Sequence, residues 1–248
     1  MLRDATHRAF MPVSALQRQV FEAEYGSLAG EWTTVHPGVD VDRFAEPRLL
    51  ALRDVVRHEL RLPPDTMVAL FVGMNFESKG LDVVVRAMAE ARRLVPSRRL
   101  HVLVIGRGNE SRYRQLATLS GCSDSITFAG AHREGIERDF AAADLFMMPA
   151  SFETFSMANL EAMAAGLPVI VSDRMGVRDL VRDGENGFVV SAEEIDKACA
   201  SLLVRLLDER VRKARGAAAR RTAQDHAWDR VADAVEAVYR ARLDRAPA

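Results

Sequence analysis

The chain has 248 residues, of which 48% are hydrophobic and 28% are charged, with a formal net charge of −1. This composition is ordinary for a globular protein, and the length suits one large domain or one domain with part of another. The near-neutral charge gives no reason to expect nucleic acid or an anionic surface as a partner. Two distant cysteines, Cys122 and Cys199, predict reduced thiols, and no run reaches the roughly 20 apolar residues that span a bilayer. We expect a cytoplasmic protein whose membrane contact is at most peripheral.

The N-terminal part, residues 1–62, differs in pattern from the rest. Residues 11–14 precede a helical stretch that runs to Tyr25, and a turn-rich segment follows at residues 33–40. From residue 66 onward, short apolar runs alternate with stretches of helical periodicity. The predicted strands are 67–72, 100–105, 126–129, 144–148, 169–171 and 188–190. The predicted helices are 81–94, 112–119, 135–142, 156–165, 194–207, 210–224 and 228–243.

Strands that alternate with helices predict right-handed βαβ units and a doubly wound parallel sheet of the Rossmann-like α/β class. In such sheets, ligands bind outside the carboxyl ends of the strands. Gly73, Gly106, Gly130 and Glu153 all follow predicted strands at that edge. A ligand site is therefore expected among the loops that carry them.

Residues 152–172 carry the strongest chemical signal. Glu153 and Glu161 lie eight positions apart, and a helix is predicted to start between them. A helix N-terminus offers free N–H groups and a partial positive charge, which together suit a phosphate. Glu153 alone could simply complement the helix dipole, but an unpaired carboxylate on a largely apolar helix, as at Glu161, is costly. An acid on each side of a phosphate site matches the layout of a nucleotide-sugar.

The spacing of Glu153 and Glu161 resembles the E-x7-E signature of retaining glycosyltransferases of the family-4 type, which have the two-domain GT-B architecture. The segments 166–170 and 183–190 are similar to the same family. The resemblance implies that residues 63–225 are the nucleotide-sugar-binding domain. It implies that residues 1–62 are the end of an acceptor domain with its linker, and that residues 226–248 are a C-terminal bracing helix.

The loop at residues 72–80 resembles the family's glycine loop, and its Gly-x-x-Phe-x-x-Lys-Gly spacing is most similar to lipopolysaccharide-core glucosyltransferases. The resemblance implies that Lys79 contacts the donor phosphates. Many family members carry an arginine where this chain has Met74 or Ser78, so a second cation must come from elsewhere. Arg43 and Arg107 are the candidates, although an arginine in this arginine-rich chain is most often a surface residue.

The resemblance also implies a role for each acid. Glu161 would accept both ribose hydroxyls, and Glu153 would position the donor sugar rather than act as a covalent nucleophile. Glu153 and Lys79 are therefore the expected catalytic residues. The base is expected near Gly130 and Ala131. The expected donor-binding residues are Gly73, Met74, Lys79, His132, Arg133, Glu153, Thr154, Phe155, Ser156, Met157 and Glu161.

These residues favour a retaining hexosyltransferase that moves a sugar from a nucleotide-sugar, such as a UDP-sugar, to a glycan or glycolipid of the cell envelope. No Asp-x-Asp cluster lies in the segments that carry Lys79, Glu153 and Glu161, so neither a metal nor a cofactor is expected there. Two alternatives stay open. One is a donor-binding module that is inactive without a separate acceptor-domain chain, and the other is a nucleotide-sugar epimerase on the same architecture.

Overall fold

The structure is a computed structural model that describes residues 9–27, 30–131 and 135–243. Within these residues, two sheets are present: a small pair of strands near the N-terminus and a six-stranded sheet, and all strand pairs in both are parallel. The strands are β1 (Ala9–Phe10), β2 (Glu31–Trp32), β3 (Met67–Met74), β4 (Leu100–Arg107), β5 (Ile126–Gly130), β6 (Leu145–Met148), β7 (Val169–Ser172) and β8 (Gly187–Val190).

Helices flank the large sheet. They are α1 (Ala15–Tyr25), α2 (Glu46–Glu59), α3 (Leu81–Leu94), α4 (Glu110–Leu119), α5 (Glu137–Ala142), α6 (Met157–Ala164), α7 (Ile195–Arg205), α8 (Glu209–Gln224) and α9 (Trp228–Leu243). Short 3-10 turns occur at Ser123–Ser125 and Gly176–Leu180. Among the described residues, no helix is both long and apolar enough to cross a membrane.

The predicted doubly wound parallel sheet is confirmed, with the strand order β5-β4-β3-β6-β7-β8. The centre of the sheet is apolar on both faces, because Val68, Leu70 and Phe71 on β3 are all fully buried. A strand covered on both sides needs a continuous hydrophobic run rather than alternation, and this is what the sequence of β3 provides. The chain order reverses between β3 and β6, so the carboxyl ends of these two strands border a crevice.

Helix boundaries match the predictions to within two residues, and the differences have local causes. The helix predicted from residue 135 begins at Glu137, because Gly135 adopts a φ of +74°. The helix predicted from residue 112 begins earlier, at Glu110, because the Asn109 side chain accepts a hydrogen bond from the Arg112 N–H and caps it.

Helix α2 lies in the segment that the sequence assigned to the linker, and it packs against the large-sheet unit. Arg53 donates to Asp144 at 2.7 Å, and Arg57, which is only 5% exposed, donates to the same carboxylate at 3.4 Å and to the Ala142 carbonyl at 2.9 Å. Asp144 stands just before β6, so these contacts tie α2 to the sheet. The domain boundaries proposed from the sequence stay a prediction.

Candidate functional site

Lys79 and Glu153 meet at the crevice between β3 and β6. The Lys79 ammonium donates to the Glu153 carboxylate, and both side chains are partly buried, with 23% and 19% exposure. Lys79 belongs to the loop after β3, and Glu153 belongs to the loop after β6. The two residues that the sequence marked as catalytic are therefore brought together at the edge where α/β sheets bind ligands.

The loop after β3 is built around a buried aromatic ring. Phe76 is 3% exposed and packs edge-to-face against Phe71 and Tyr113, which anchors the loop to the core. Asn75 reverses the chain with a φ of +67°, a conformation that asparagine tolerates better than most residues. Its N–H donates to the Arg107 carbonyl at 2.8 Å. The backbone that carries Lys79 is thus fixed at several points.

Close backbone packing lets the Lys79 stem cross β3. A Cβ atom on Gly73 would lie 3.0 Å from the Lys79 Cγ, so the missing side chain at Gly73 leaves room for the lysine. Gly106 on the neighbouring strand has a φ of +131°, and a Cβ atom there would lie 1.9 Å from the Gly73 carbonyl oxygen. Glycine is required at Gly106, because any side chain would displace the strand end beneath Lys79.

The loops after β3 and β6 also touch through their backbones. The Ser151 N–H donates to the Ser78 carbonyl at 3.2 Å. The Lys79–Gly80 turn packs against Pro149, whose carbonyl oxygen would be 2.2 Å from a Cβ atom on Gly80. The approach of Lys79 to Glu153 therefore follows from packing of the two loops and not only from charge attraction.

The turn at residues 153–155 has all its carbonyls engaged. The Glu153 carbonyl accepts from the Gly176 N–H at 2.8 Å, and the Phe155 carbonyl accepts from the Val177 N–H at 3.0 Å. The Thr154 carbonyl accepts from a side chain of the N-terminal segment, the Ser14 hydroxyl, at 2.6 Å. No sequence pattern indicated this contact, since it joins residues 140 positions apart.

The N–H groups of this turn are free among the described residues. Those of Thr154, Phe155 and Ser156 have no hydrogen-bond partner in the part of the chain that the structure covers. They precede α6, whose first helical residue is Met157. Unpaired N–H groups at a helix N-terminus favour an anion such as a phosphate.

Ser156 holds an uncommon backbone conformation immediately before α6. Its φ is +92°, and its side chain is largely buried. Asn159, which is fully buried, donates to the Ser156 hydroxyl at 2.8 Å, whereas the Asn159 Oδ1 has no partner among the described residues. A strained non-glycine residue at the head of a helix is typical of functional turns.

Glu161 lies one turn into α6 and is partly buried. Burial raises the pKa of its carboxyl, and Arg43 opposes that rise electrostatically. Arg43 is itself held by Glu137 through hydrogen bonds of 3.2 Å from Nε and 3.0 Å from Nη2. Arg48 donates to the other carboxylate oxygen of Glu137 at 3.0 Å. The structure thus places Arg43 on the Glu161 side of the site, with an acidic partner that the sequence did not indicate.

The other predicted residues differ in placement. Arg107 ends β4 beside Met74, its register partner on β3, and both side chains are exposed. Met157, the first residue of α6, is 37% exposed, whereas Phe155 is 4% exposed. Gly130 ends β5, the strand on the outer side of β4. His132 and Arg133, predicted to line the base pocket, lie outside the described residues.

A separate cavity of about 750 Å³ lies at the opposite edge of the sheet, by the amino ends of the strands. Its arginines are largely paired with acids: Arg92 with Asp124 and, at the rim, Arg99 with Asp65. Arginine near the C-terminal ends of helices complements the helix dipole. We therefore attribute this basic lining to the fold.

The described residues contain no group of three or more histidine, cysteine, aspartate or glutamate side chains placed to hold a metal ion. The groups at the crevice that carry full or partial positive charge are the Lys79 ammonium, which is paired with Glu153, and the free N–H groups at the head of α6. These groups can stabilise negative charge that develops on a phosphate.

The fold and the crevice together define a Rossmann-like α/β protein with a lysine, two glutamates and free N–H groups near its switch point. Comparison with known proteins then gives the family. The profile described as glycosyl transferases group 1 matches residues 66–209. The chain belongs to this family of glycosyltransferases.

Individual relatives agree with the family. The D-inositol 3-phosphate glycosyltransferase of Streptomyces avermitilis is 34% identical over 233 residues, which cover 90% of this chain and 48% of that protein. The chain spans about half of the length of the curated relatives that it matches.

Solved structures with the same fold include WaaG, a glycosyltransferase involved in lipopolysaccharide biosynthesis, with a TM-score of 0.77 and 24% identity over 86% of this chain and 58% of that one. Another is HepE from Anabaena in complex with UDP and glucose, with a TM-score of 0.77 and 20% identity over 95% of this chain and 62% of that one.

Proposed function

We propose that this chain holds the nucleotide-sugar site of a retaining hexosyltransferase that acts on a glycan or glycolipid acceptor. The observation that carries the proposal is the Lys79–Glu153 ion pair at the switch point, beside the free N–H groups that precede α6. Lys79 and those N–H groups bind the two phosphates, Glu161 accepts the ribose hydroxyls, and Glu153 positions the sugar.

In the proposed reaction, the bond between the sugar C1 and the β-phosphate oxygen breaks, and a bond forms between C1 and the acceptor oxygen. The acceptor proton passes to the departing phosphate on the same face of the sugar, so the configuration is retained. Negative charge that develops on the diphosphate is stabilised by Lys79 and by the head of α6. Neither a metal nor a cofactor enters this scheme. Glu153 and Glu161 are proposed to be the two acids of the family's E-x7-E motif.

The test is calorimetric titration with UDP, GDP, ADP and their sugar conjugates. HepE was solved in complex with UDP and glucose, so UDP-glucose is the first donor to test. We expect one nucleoside diphosphate to bind and Glu161→Ala to abolish binding. Lys213 provides a matched control for Lys79, because it is a 77% exposed lysine on α8, and Lys213→Ala should leave binding unchanged. Absence of binding at millimolar nucleotide would contradict the proposal.

A second candidate function is a donor-binding module that requires an acceptor domain on a separate chain. It rests on the position of the candidate site, because Lys79, Glu153 and Glu161 all lie within residues 66–209, which the family profile matches. This candidate predicts nucleotide binding without sugar transfer or donor hydrolysis by the chain alone. NMR analysis of the reaction products separates it from transfer and also from epimerisation of the donor.

We also propose a cytoplasmic location, with membrane contact that is at most peripheral. Cys122 and Cys199 are both free and buried, which is consistent with a reducing compartment. Fractionation of cells that express the chain tests this, and recovery in an oxidising compartment would contradict it.

A further inference from the structure

The Ser14 hydroxyl links the N-terminal segment to the proposed phosphate site. Ser14 is fully buried, and its Oγ donates to the Thr154 carbonyl at 2.6 Å. The same oxygen accepts from the Gln17 N–H at 3.0 Å and so caps α1. The same hydroxyl therefore caps the start of α1 and binds the turn that carries Glu153.

The geometry of a peptide unit gives this contact a consequence for ligand binding. The Thr154 carbonyl and the Phe155 N–H belong to one planar peptide, and no peptide bond among the described residues is cis. In a trans peptide the C=O and N–H point in opposite directions. By holding the carbonyl, Ser14 fixes the direction of the Phe155 N–H, which is one of the groups free to bind a phosphate.

The carbonyls of Glu153 and Phe155 accept hydrogen bonds from backbone N–H groups, whereas the Thr154 carbonyl between them accepts from a side chain, that of Ser14. Glu153 and Phe155 are tied to residues 176 and 177, and a Cβ atom on Gly176 would lie 1.9 Å from the Thr154 oxygen and 2.4 Å from the Ser14 Oγ. Gly176 therefore packs closely against both oxygen atoms of the Ser14–Thr154 hydrogen bond. The α1 start is also tied to the same region, because the Ala15 N–H donates to Asp179 at 2.7 Å.

We propose that Ser14 is a positioning residue for the donor diphosphate, acting through the Thr154 carbonyl to aim the Phe155 N–H at the β-phosphate. This inference rests on the proposed function. Loss of one oriented hydrogen bond to a charged group predicts a roughly tenfold loss of affinity. The loss should appear only for ligands that carry a β-phosphate.

The experiment compares the nucleoside diphosphate that binds most tightly among UDP, GDP and ADP with its monophosphate. Ser14→Ala should weaken diphosphate binding roughly tenfold and leave monophosphate binding within about twofold. The matched control is Gln17→Ala, because the Gln17 side chain accepts from the Val13 N–H at 2.7 Å and supports the same helix start without touching Thr154. Gln17→Ala should lower the melting temperature but change neither affinity.

Ser14→Cys serves if the alanine variant fails to fold, because sulfur fills the space but donates weakly. It should show the same selective loss. Equal diphosphate affinity of the wild type and the Ser14 variant would overturn the inference while leaving the proposed function intact, as would a parallel loss of monophosphate affinity. If the wild type binds none of the nucleotides, the proposed function fails and this inference fails with it.

Discussion

Lys79 and Glu153 are each other's ionic partner across the crevice between the third and sixth strands. A phosphate that binds the Lys79 ammonium must therefore compete with the Glu153 carboxylate. Replacing Lys79 and replacing Glu153 should therefore change nucleotide affinity in opposite directions, although both residues lie at the same edge of the sheet.

Replacement of Lys79 should weaken nucleotide binding. We expect Lys79→Ala to reduce affinity for the bound nucleoside diphosphate by at least about tenfold, since a charge-assisted contact to a phosphate is lost. Titration calorimetry measures this, with Lys213→Ala as the control for the loss of one positive charge. Equal affinities for the Lys79 variant and the wild type would exclude Lys79 from the phosphate site.

Replacement of Glu153 should act in the opposite direction on binding. Glu153→Gln removes the competitor for Lys79, so we expect diphosphate affinity to rise by roughly twofold to fivefold. If the chain transfers sugar, turnover should fall by roughly a hundredfold or more, since positioning of the donor is lost. Reduced diphosphate affinity in this variant would argue against the competition.

The ionisation of Glu161 should make the stability of the folded protein depend on pH. Burial raises the pKa of its carboxyl, so on raising the pH the unfolded chain ionises before the folded chain. The folded state therefore loses stability as the pH rises through this interval. We expect Glu161→Gln to melt about 2 °C above the wild type at pH 8, with the difference vanishing toward pH 4. Thermal unfolding across that pH range measures it.

Ligand binding gives the complementary test of Glu161. The Glu161→Gln variant should lose affinity for nucleotides but keep affinity for inorganic pyrophosphate, which has no ribose. A parallel loss of both ligands would place Glu161 with the phosphates instead. Unchanged nucleotide affinity would remove it from the site.

The Ser156→Gly variant should be more stable than the Ser156→Ala variant. Both replacements delete the hydroxyl that accepts from Asn159, so their difference isolates the backbone at a φ of +92°. Glycine adopts positive φ without a Cβ clash, and we expect Ser156→Gly to exceed Ser156→Ala in unfolding free energy by about 1–2 kcal/mol. Urea denaturation of the pair decides this. An alanine variant at least as stable as the glycine variant would show that the turn relaxes.

Removal of the Asp144 carboxylate should be strongly destabilising. This carboxylate accepts from Arg53 and from the buried Arg57, and also from the Val68 N–H at 2.8 Å. We expect Asp144→Ala to lower the unfolding free energy by about 3–5 kcal/mol, because Arg57 is left buried without its ionic partner. The exposed pair Asp65–Arg99 is the control, and Asp65→Ala should cost less than about 1 kcal/mol. Similar losses in the two variants would contradict this.

The elements themselves were predictable from the sequence because their signals are local. The apolar run at residues 67–72 and the helical periodicity at residues 81–94 identified the strand Met67–Met74 and the helix Leu81–Leu94 close to their observed bounds. The alternation of such elements also predicted the parallel sheet and the edge at which Lys79 and Glu153 meet. Resemblance to a family then named the residues worth examining at that edge.

What the sequence determined by itself was therefore which segments are strands and helices, and which loops share one edge of the sheet. Only the tertiary structure decided that Glu137 holds Arg43, that Lys79 pairs with Glu153, and that Ser14 reaches Thr154. The physical reason is one of range. Steric and hydrophobic preferences that set secondary structure act between near neighbours in the chain, whereas these three contacts join residues 74 to 140 positions apart and exist only where packing brings their loops together.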